Sequence, residues 1–217
     1  MRDVVRIVNY LRHYGLNRRK FKEFQVSLDA EYCDVPYYTE VRWLRRGKVL
    51  KRFFHLREEI ALFLDMQGKP DPKLSDKKWI ADLAFLTHVT EHLHDLNVSL
   101  QGRDHLITDL SDKIMAFKAN LELWKAQLKM EDTYHFTNLG SICLGVNFDE
   151  YVLVIEALIE EFSNRFQEFL QLKPMFDSFV KPFSIPVIEV AHEFQMEIIN
   201  LQSSTRLKDI VIVVTLY

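Results

Sequence analysis

A long apolar repeat at helical spacing limits what this chain can become. From Leu86 the apolar residues fall alternately three and four positions apart, through Val89, Leu93, Leu96 and Leu100. After an interruption at Arg103 the register resumes at Ile107 and runs through Leu110, Ile114, Phe117, Leu121, Trp124 and Leu128. A repeat of about 3.5 residues lays one apolar stripe along a helix, as in bundles and coiled coils. Gly102 sits in the interruption and costs about 1 kcal/mol against alanine in a helix interior, which makes it the place for a kink or break. Ser75 is a good N-cap for the start of the helix, with Leu74 able to pack on Trp79 as a hydrophobic staple.

The same spacing predicts further helices. Val49, Phe53, Leu56, Ile60 and Phe63 mark one over 44–66, closed by Gly68 and the prolines at 70 and 72. Val152, Ile155, Ile159, Phe162, Phe166 and Phe169 mark another that stops before Pro174. Two shorter helices are expected at 2–14 and 18–31, divided by Gly15, and one more at 191–202. Between them the segment VPYYTEV, with Tyr37, Tyr38, Thr39 and Val41, favours a strand. Linkers are expected at 67–73, 131–147 and 173–187. Only six glycines and six prolines occur in 217 residues, which favours long regular elements over short strands and turns.

Charge is unevenly spread. Residues 1–57 hold 14 Lys/Arg against 6 Asp/Glu, while the remaining 160 hold 14 against 25. A basic front on an acidic body can steer a polyanion to one end, or the two faces can satisfy one another within the fold. The N-terminus lacks the apolar core of a signal peptide, and no apolar run approaches the roughly 20 residues of a membrane span. Cys33 and Cys143 lie far apart, so a reduced, intracellular chain with no membrane contact is expected.

Two long segments carry a resemblance. YYTEVRWLRRGKVLKRFFHLREEIALFL closely resembles the stretch that follows the second catalytic Asp in domesticated hAT DNA transposases, where a Thr-x-x-x-Trp strand end leads into a helix. The likeness continues through LSDKKWIADLAFLTHVTEHLHDLNVSLQGRDHLITDLSDKIMAFKANLELWKAQL, and through FQEFLQLKPMFDSFVKPF and EFQMEIINLQ. It spans roughly residues 1–208. Within the hAT group it resembles the transposase-like half of the type 2 general transcription factor II-I repeat domain proteins and BED-zinc-finger relatives.

The resemblance implies a fold: mainly α, a multi-helix bundle of the hAT insertion-domain type, with one short strand left from an RNase H-like core. Residues 1–43 would be the core remnant, 44–208 the helical insertion domain, and 209–217 a divergent apolar tail. Active members cut and join DNA with two metal ions held by three acidic residues. Those residues match nothing in this chain, so no catalytic residue, metal ligand or cofactor is expected in it.

One functional position does carry over by resemblance. Arg42 and Trp43 fall on the family's Arg-Trp pair, whose Trp is implicated in stacking on an extruded base. Base stacking on an aromatic face is worth about 1–3 kcal/mol. Arg45, Arg46, Lys48, Lys51 and Arg52 follow as candidate phosphate contacts, which would be sequence-independent and salt-sensitive. The competing reading packs Trp43 where strand meets helix and leaves the basic side chains solvated. RRGKVLKR also reads as a nuclear import signal.

Other constellations carry less. His88 and His92 are four apart, with Glu91, His94 and Asp95 nearby, and paired histidines at this spacing can bind zinc. No cysteine is close and no HExxH motif is present, so a solvated helix face is the expectation. The glycines form no phosphate loop. The phenylalanines at 162, 166, 169, 176, 179 and 183 are expected in a core or a partner interface. The tail IVIVVTLY has the uncharged β-prone character of a strand-adding or aggregating segment, and a splice or frameshift terminus is the favoured account.

The functional expectation is a non-catalytic, transposase-derived helical interaction module, intracellular and nuclear, with protein partners and self-association through the Leu-rich helix. The alternatives are a weak, sequence-independent DNA-binding remnant using the basic front, or a truncated product without selected function.

Overall fold

The computed structural model describes residues 1–13, 15–27, 43–101, 106–142 and 145–208. Among the described residues the protein is helical, with no strand. The helices are α1 (Arg2–His13), α2 (Gly15–Ser27), α3 (Trp43–His55), α4 (Arg57–Met66), α5 (Lys77–Leu100), α6 (Ile107–Lys129), α7 (Thr137–Gly140), α8 (Asp149–Gln171), α9 (Lys173–Val180) and α10 (Gln195–Ser203). The VPYYTEV segment (35–41) expected as a strand, Gly102, both cysteines and the tail 209–217 lie outside the described residues, and Trp43 begins α3.

The chain divides into two compact units, Met1–Ser99 with Leu123–Val154, and Leu100–Glu122 with Ile155–Tyr217. The first unit is built on amphipathic spacing. In α1, Val4, Ile7, Val8 and Leu11 are buried, one stripe at three- and four-residue intervals. α1 packs on α2 and α3, and α2 packs on α4. Phe63 of α4 meets Phe21 edge-on at 5.1 Å and Phe24 at 5.9 Å, both from α2. Gly15 opens α2 instead of standing between two helices.

The expected helix over 44–66 is two helices. Leu56 separates them, buried and with φ −94° and ψ 11°. Neither Gly nor Pro is there. Instead, side chains from both sides of the break bond the carbonyls at the end of α3: His55 Nδ1 lies 2.7 Å from the Lys51 carbonyl, and Arg57 donates to the Phe54 carbonyl at 2.9 Å. α4 ends as expected at Gly68, whose φ of +66° needs no Cβ penalty, while the Lys69 N–H reaches back to the Leu64 carbonyl at 2.9 Å.

The start of α5 differs from expectation. Ser75 closes a 3-10 turn over Pro72–Ser75, and Asp76 is the residue that caps α5. Its Oδ1 accepts from the Lys78 and Trp79 N–H groups at 3.0 and 3.3 Å. The buried residues of α5 are Ala81, Leu83, Ala84, Phe85, Thr87 and Val89; of the expected stripe only Val89 is fully buried, with Leu86, Leu93 and Leu96 half-buried. In α6 the expectation holds from Ile114 onward: Ile114, Phe117, Leu121, Trp124 and Leu128 are all buried. The Leu-rich stripe offered for self-association is thus covered within the chain along most of α6.

The segment expected as a linker at 131–147 places Phe136 and Leu139 fully in the core, around the short α7. In the second unit, Ile155 and Phe162 of α8 are buried, and Phe162 lies 5.3 Å from Phe117. α8 stops at Gln171, before Pro174. The expected linker 173–187 then opens with a helix, because Pro174 sits in the first turn of α9, where its missing N–H has no partner to lose. Two 3-10 turns, Val187–Glu189 and His192–Phe194, lead into α10.

Candidate functional site

Helix α3 carries the candidate nucleic-acid residues. Its apolar face is set by Val49, Leu50, Phe53 and Phe54, all buried. Arg42 lies outside the described residues. Trp43, Arg45 and Arg46 form the first turn of α3, so Trp43 belongs to the helix. Lys48 and Lys51 are exposed and Arg52 is half-buried.

The described part of this face is not uniformly turned to solvent. Lys51 is ion-paired with Glu91 of α5. One turn earlier Gly47 is buried where α3 and α5 approach; a Cβ built on it would sit 3.2 Å from the Thr90 carbonyl oxygen. Gly47 and Lys51 therefore share a line of contact with Thr90 and Glu91. A lysine held by a carboxylate is a weaker phosphate ligand, because binding must first break or compete with that pair.

α5 also carries the histidines, which are not a solvated face. His88 packs against Phe136 at 4.4 Å, His92 at 4.4 Å and Trp124 at 5.3 Å, and His92 lies 4.7 Å from Trp124. Phe85, one turn before, stacks on Tyr151 at 4.5 Å and on Phe136 at 5.8 Å. Phe85, His88 and His92 are thus a row of rings along one side of α5. Burial pushes His88 down to about 4, with His92 adding to it and Glu91 opposing. His92 is lowered too, again chiefly by burial. Both rings are neutral at pH 7, and His88 Nε2 has no hydrogen-bond partner among the described residues.

His135 does not join them as a ligand: its Nδ1 pairs with Gln127 Oε1 at 2.8 Å, and Gln127 in turn donates to Asp132 at 3.2 Å. Among the described residues no group of three or more His, Cys, Asp or Glu is arranged to hold a metal. The row's chemistry is that of aromatic packing with a proton-sensitive member. Sequence reasoning missed it because Trp124 and Phe136 are far from His88 in the chain.

A cleft of about 490 Å³ lies beside α1, lined in part by Arg6, Tyr10, Lys69 and Asp71. Two of its charges are paired with each other, and one lies over a ring. Arg6 donates to Asp71 at 2.6 Å, and the Lys69 ammonium stands 4.8 Å over the Tyr10 ring. No helix among the described residues is long and apolar enough to cross a membrane.

Of the phenylalanines at 162–183 expected in a core or a partner interface, one is in the core. Phe162 is buried, Phe166, Phe169, Phe176 and Phe183 are half-buried, and Phe179 is 69 % exposed.

Comparison with known proteins bears on all of these elements. Residues 1–129, from α1 through α6, match the FAM200/GTF2IRD2 helical domain. The chain belongs to the FAM200/GTF2IRD2-like family. It is 42 % identical over 212 residues to general transcription factor II-I repeat domain-containing protein 2 of Bos taurus, and 39 % identical over 209 residues to the Mus musculus protein of that name. These matches cover 96 % and 94 % of the chain, which spans 22 % of the length of each relative. No solved structure matches it. The family match takes in α3 and the ring row of α5 together with Trp124, and it ends at Lys129, the last residue of α6.

Proposed function

We propose that this chain is a non-catalytic piece of a domesticated hAT transposase that acts as a helical protein-interaction module in the nucleus. The supporting observation is the FAM200/GTF2IRD2 helical-domain match over residues 1–129, together with relatives that carry a general transcription factor II-I name. In this reading residues 1–43 derive from the edge of an RNase H-like core, 44–208 from the insertion domain, and 209–217 are a divergent tail. A helical scaffold suits such a role because its rigid faces present side chains for protein contact. The proposal is tested by incubating the full chain with supercoiled DNA and Mg²⁺ or Mn²⁺. No nicking or strand joining is expected, and metal-dependent cleavage overturns it.

A second reading, weak sequence-independent DNA binding, is favoured by the exposed Lys48 on the basic front. It requires an affinity that falls steeply with salt and falls further in Arg45→Ala/Arg46→Ala. Gel shifts at several salt concentrations separate the two readings. Salt-insensitive or absent binding removes the DNA reading.

A further inference from the structure

The cleft beside α1 is lined by the buried Ile7 and Leu64, the half-buried Tyr10, and the whole of the Lys-Pro-Asp-Pro-Lys segment at 69–73. Its volume falls within the roughly 300–1,000 Å³ of ligand sites. Main-chain bonds hold the segment in place. The Lys69 N–H donates to the Leu64 carbonyl at 2.9 Å, and the Leu74 and Asp76 N–H groups donate to the Asp71 and Lys73 carbonyls at 3.1 Å each. Pro70 and Pro72 fix two of its φ angles. This wall of the cleft is set before any ligand arrives, so binding has little ordering cost to meet there.

The five charges lining the cleft are not equivalent. Arg6 takes both carboxylates, Asp71 Oδ2 at 2.6 Å and Asp3 Oδ1 at 3.6 Å. The other oxygen of Asp71 accepts the Lys73 N–H at 3.2 Å, and that side chain is only 6 % exposed. Lys69 and Lys73 remain. Both are exposed, and among the described residues neither ammonium is paired with a carboxylate. The Tyr10 ring steadies the Lys69 ammonium, but a ring face leaves the full positive charge in place.

These features select the occupant. Arg6 with its two carboxylates sums to one negative charge, so the two lysines bring the cleft to a single net positive charge. One acidic group answers that excess, whereas a polynucleotide would bring a row of phosphates against Asp3 and Asp71. A second copy bound by the same cleft would set the lysines against themselves, since an isologous contact places like on like. The apolar lining calls for an apolar group next to the acid. We infer that the α1 cleft binds a short peptide segment of a partner protein, with one acidic side chain on Lys69 and Lys73 and a neighbouring apolar side chain against Ile7, Leu64 and the prolines. This deepens the interaction-module reading and rests on it.

The test is an NMR titration of the full chain with the hexapeptide Gly-Ser-Leu-Glu-Leu-Gly, capped at both ends so that the glutamate is its only charge. Saturable shifts are expected at the Lys69, Asp71 and Lys73 amides. The same peptide with Gln for Glu, or with Gly for both Leu, should bind at least about tenfold more weakly. Lys69→Gln/Lys73→Gln should weaken the Glu peptide about tenfold or more, with an unchanged circular dichroism spectrum. Removing two exposed lysines elsewhere (Lys22→Gln/Lys48→Gln) should not.

Equal weakening by the two double variants overturns the inference, because it shows only general attraction to a basic front. So does either substituted peptide binding as tightly as the first, or shifts confined to amides outside the cleft. An oligothymidylate that saturates the same amides more tightly than the peptide also overturns it, as does a concentration-dependent dimer that shifts them with no peptide present. Each of these leaves the module reading standing, whereas metal-dependent DNA cleavage removes that reading itself.

Discussion

Tyr151 donates its hydroxyl to the Asp82 carboxylate at 2.8 Å, tying the first turn of α8 to α5. Lys78 reaches the same oxygen at 2.6 Å and Glu150 at 2.8 Å, while the phenol ring stacks on Phe85. Buried among these groups, the phenol is pushed well above its ordinary pKa, chiefly by burial and then by the bond to Asp82.

Tyr151→Phe keeps the ring stack and removes the bond. Urea unfolding at pH 7 should show a loss of about 1.5–3 kcal/mol, the range for a hydrogen bond to a charged group. A raised phenol pKa also has a pH signature. Its contribution is fully present below the unfolded value near 10 and is lost as pH rises toward the folded value. Stability of the native chain should therefore fall above about pH 10 more steeply than that of Tyr151→Phe. Parallel curves would count against the phenol's role.

Glu131, just past the end of α6, holds φ at +55°, a left-handed conformation that a non-glycine residue adopts at a cost of about 1–2 kcal/mol. The turn is fixed by the Asp132 N–H bonded to the Gln127 carbonyl at 2.9 Å. Glu131→Gly should raise stability by about 1 kcal/mol, less what the glycine adds in unfolded-state freedom. A lower melting temperature would contradict this account of the turn.

His88 makes the fold acid-sensitive. Its folded-state value near 4 lies below the ordinary 6.5, so the unfolded chain binds the proton first. The contribution is fully present above about pH 6.5 and is lost as pH falls toward 4. Between those limits the urea midpoint of the native chain should drop faster than that of His88→Phe, which keeps an aromatic beside Phe136 and Trp124. An identical slope in the two chains would assign the acid sensitivity elsewhere.

Gly47 sets how closely α3 and α5 approach. Alanine there would gain about 1 kcal/mol of helix propensity but crowd the Thr90 carbonyl, so Gly47→Ala should be close to neutral. Gly47→Leu has no such compensation and should cost about 1–3 kcal/mol as the two helices are forced apart. Thermal unfolding of the two variants in parallel measures the difference.

Parts of this architecture were legible from residue spacing alone. α6 and α8 announce themselves because each buries one stripe, and spacing encodes a single stripe well. Gly68 announces the end of α4 because a left-handed residue there favours glycine. The break at Leu56 was hidden, since it depends on His55 and Arg57 bonding nearby carbonyls and not on a helix-breaking residue. Ser75 and Asp76 are both competent caps, and only the preceding 3-10 turn decides between them. Pro174 reads as a terminator when taken alone, but in the first turn it opens α9. The ring row of α5 was invisible because its other half comes from Trp124 and Phe136, which no local pattern connects to His88.

Gln202 Nε2 donates to the Pro182 and Ile185 carbonyls, each at 2.8 Å, and this clamp has an evolutionary consequence. One amide closes a loop of fewer than two dozen residues by gripping main-chain carbonyls, which are present whatever side chains the loop bears. The outward residues Ile188 and Met196 are thereby uncoupled from the bonds that shape the loop. Substitutions at these two exposed positions leave untouched the bonds that shape the backbone beneath them, so the loop can keep its form while its surface side chains vary.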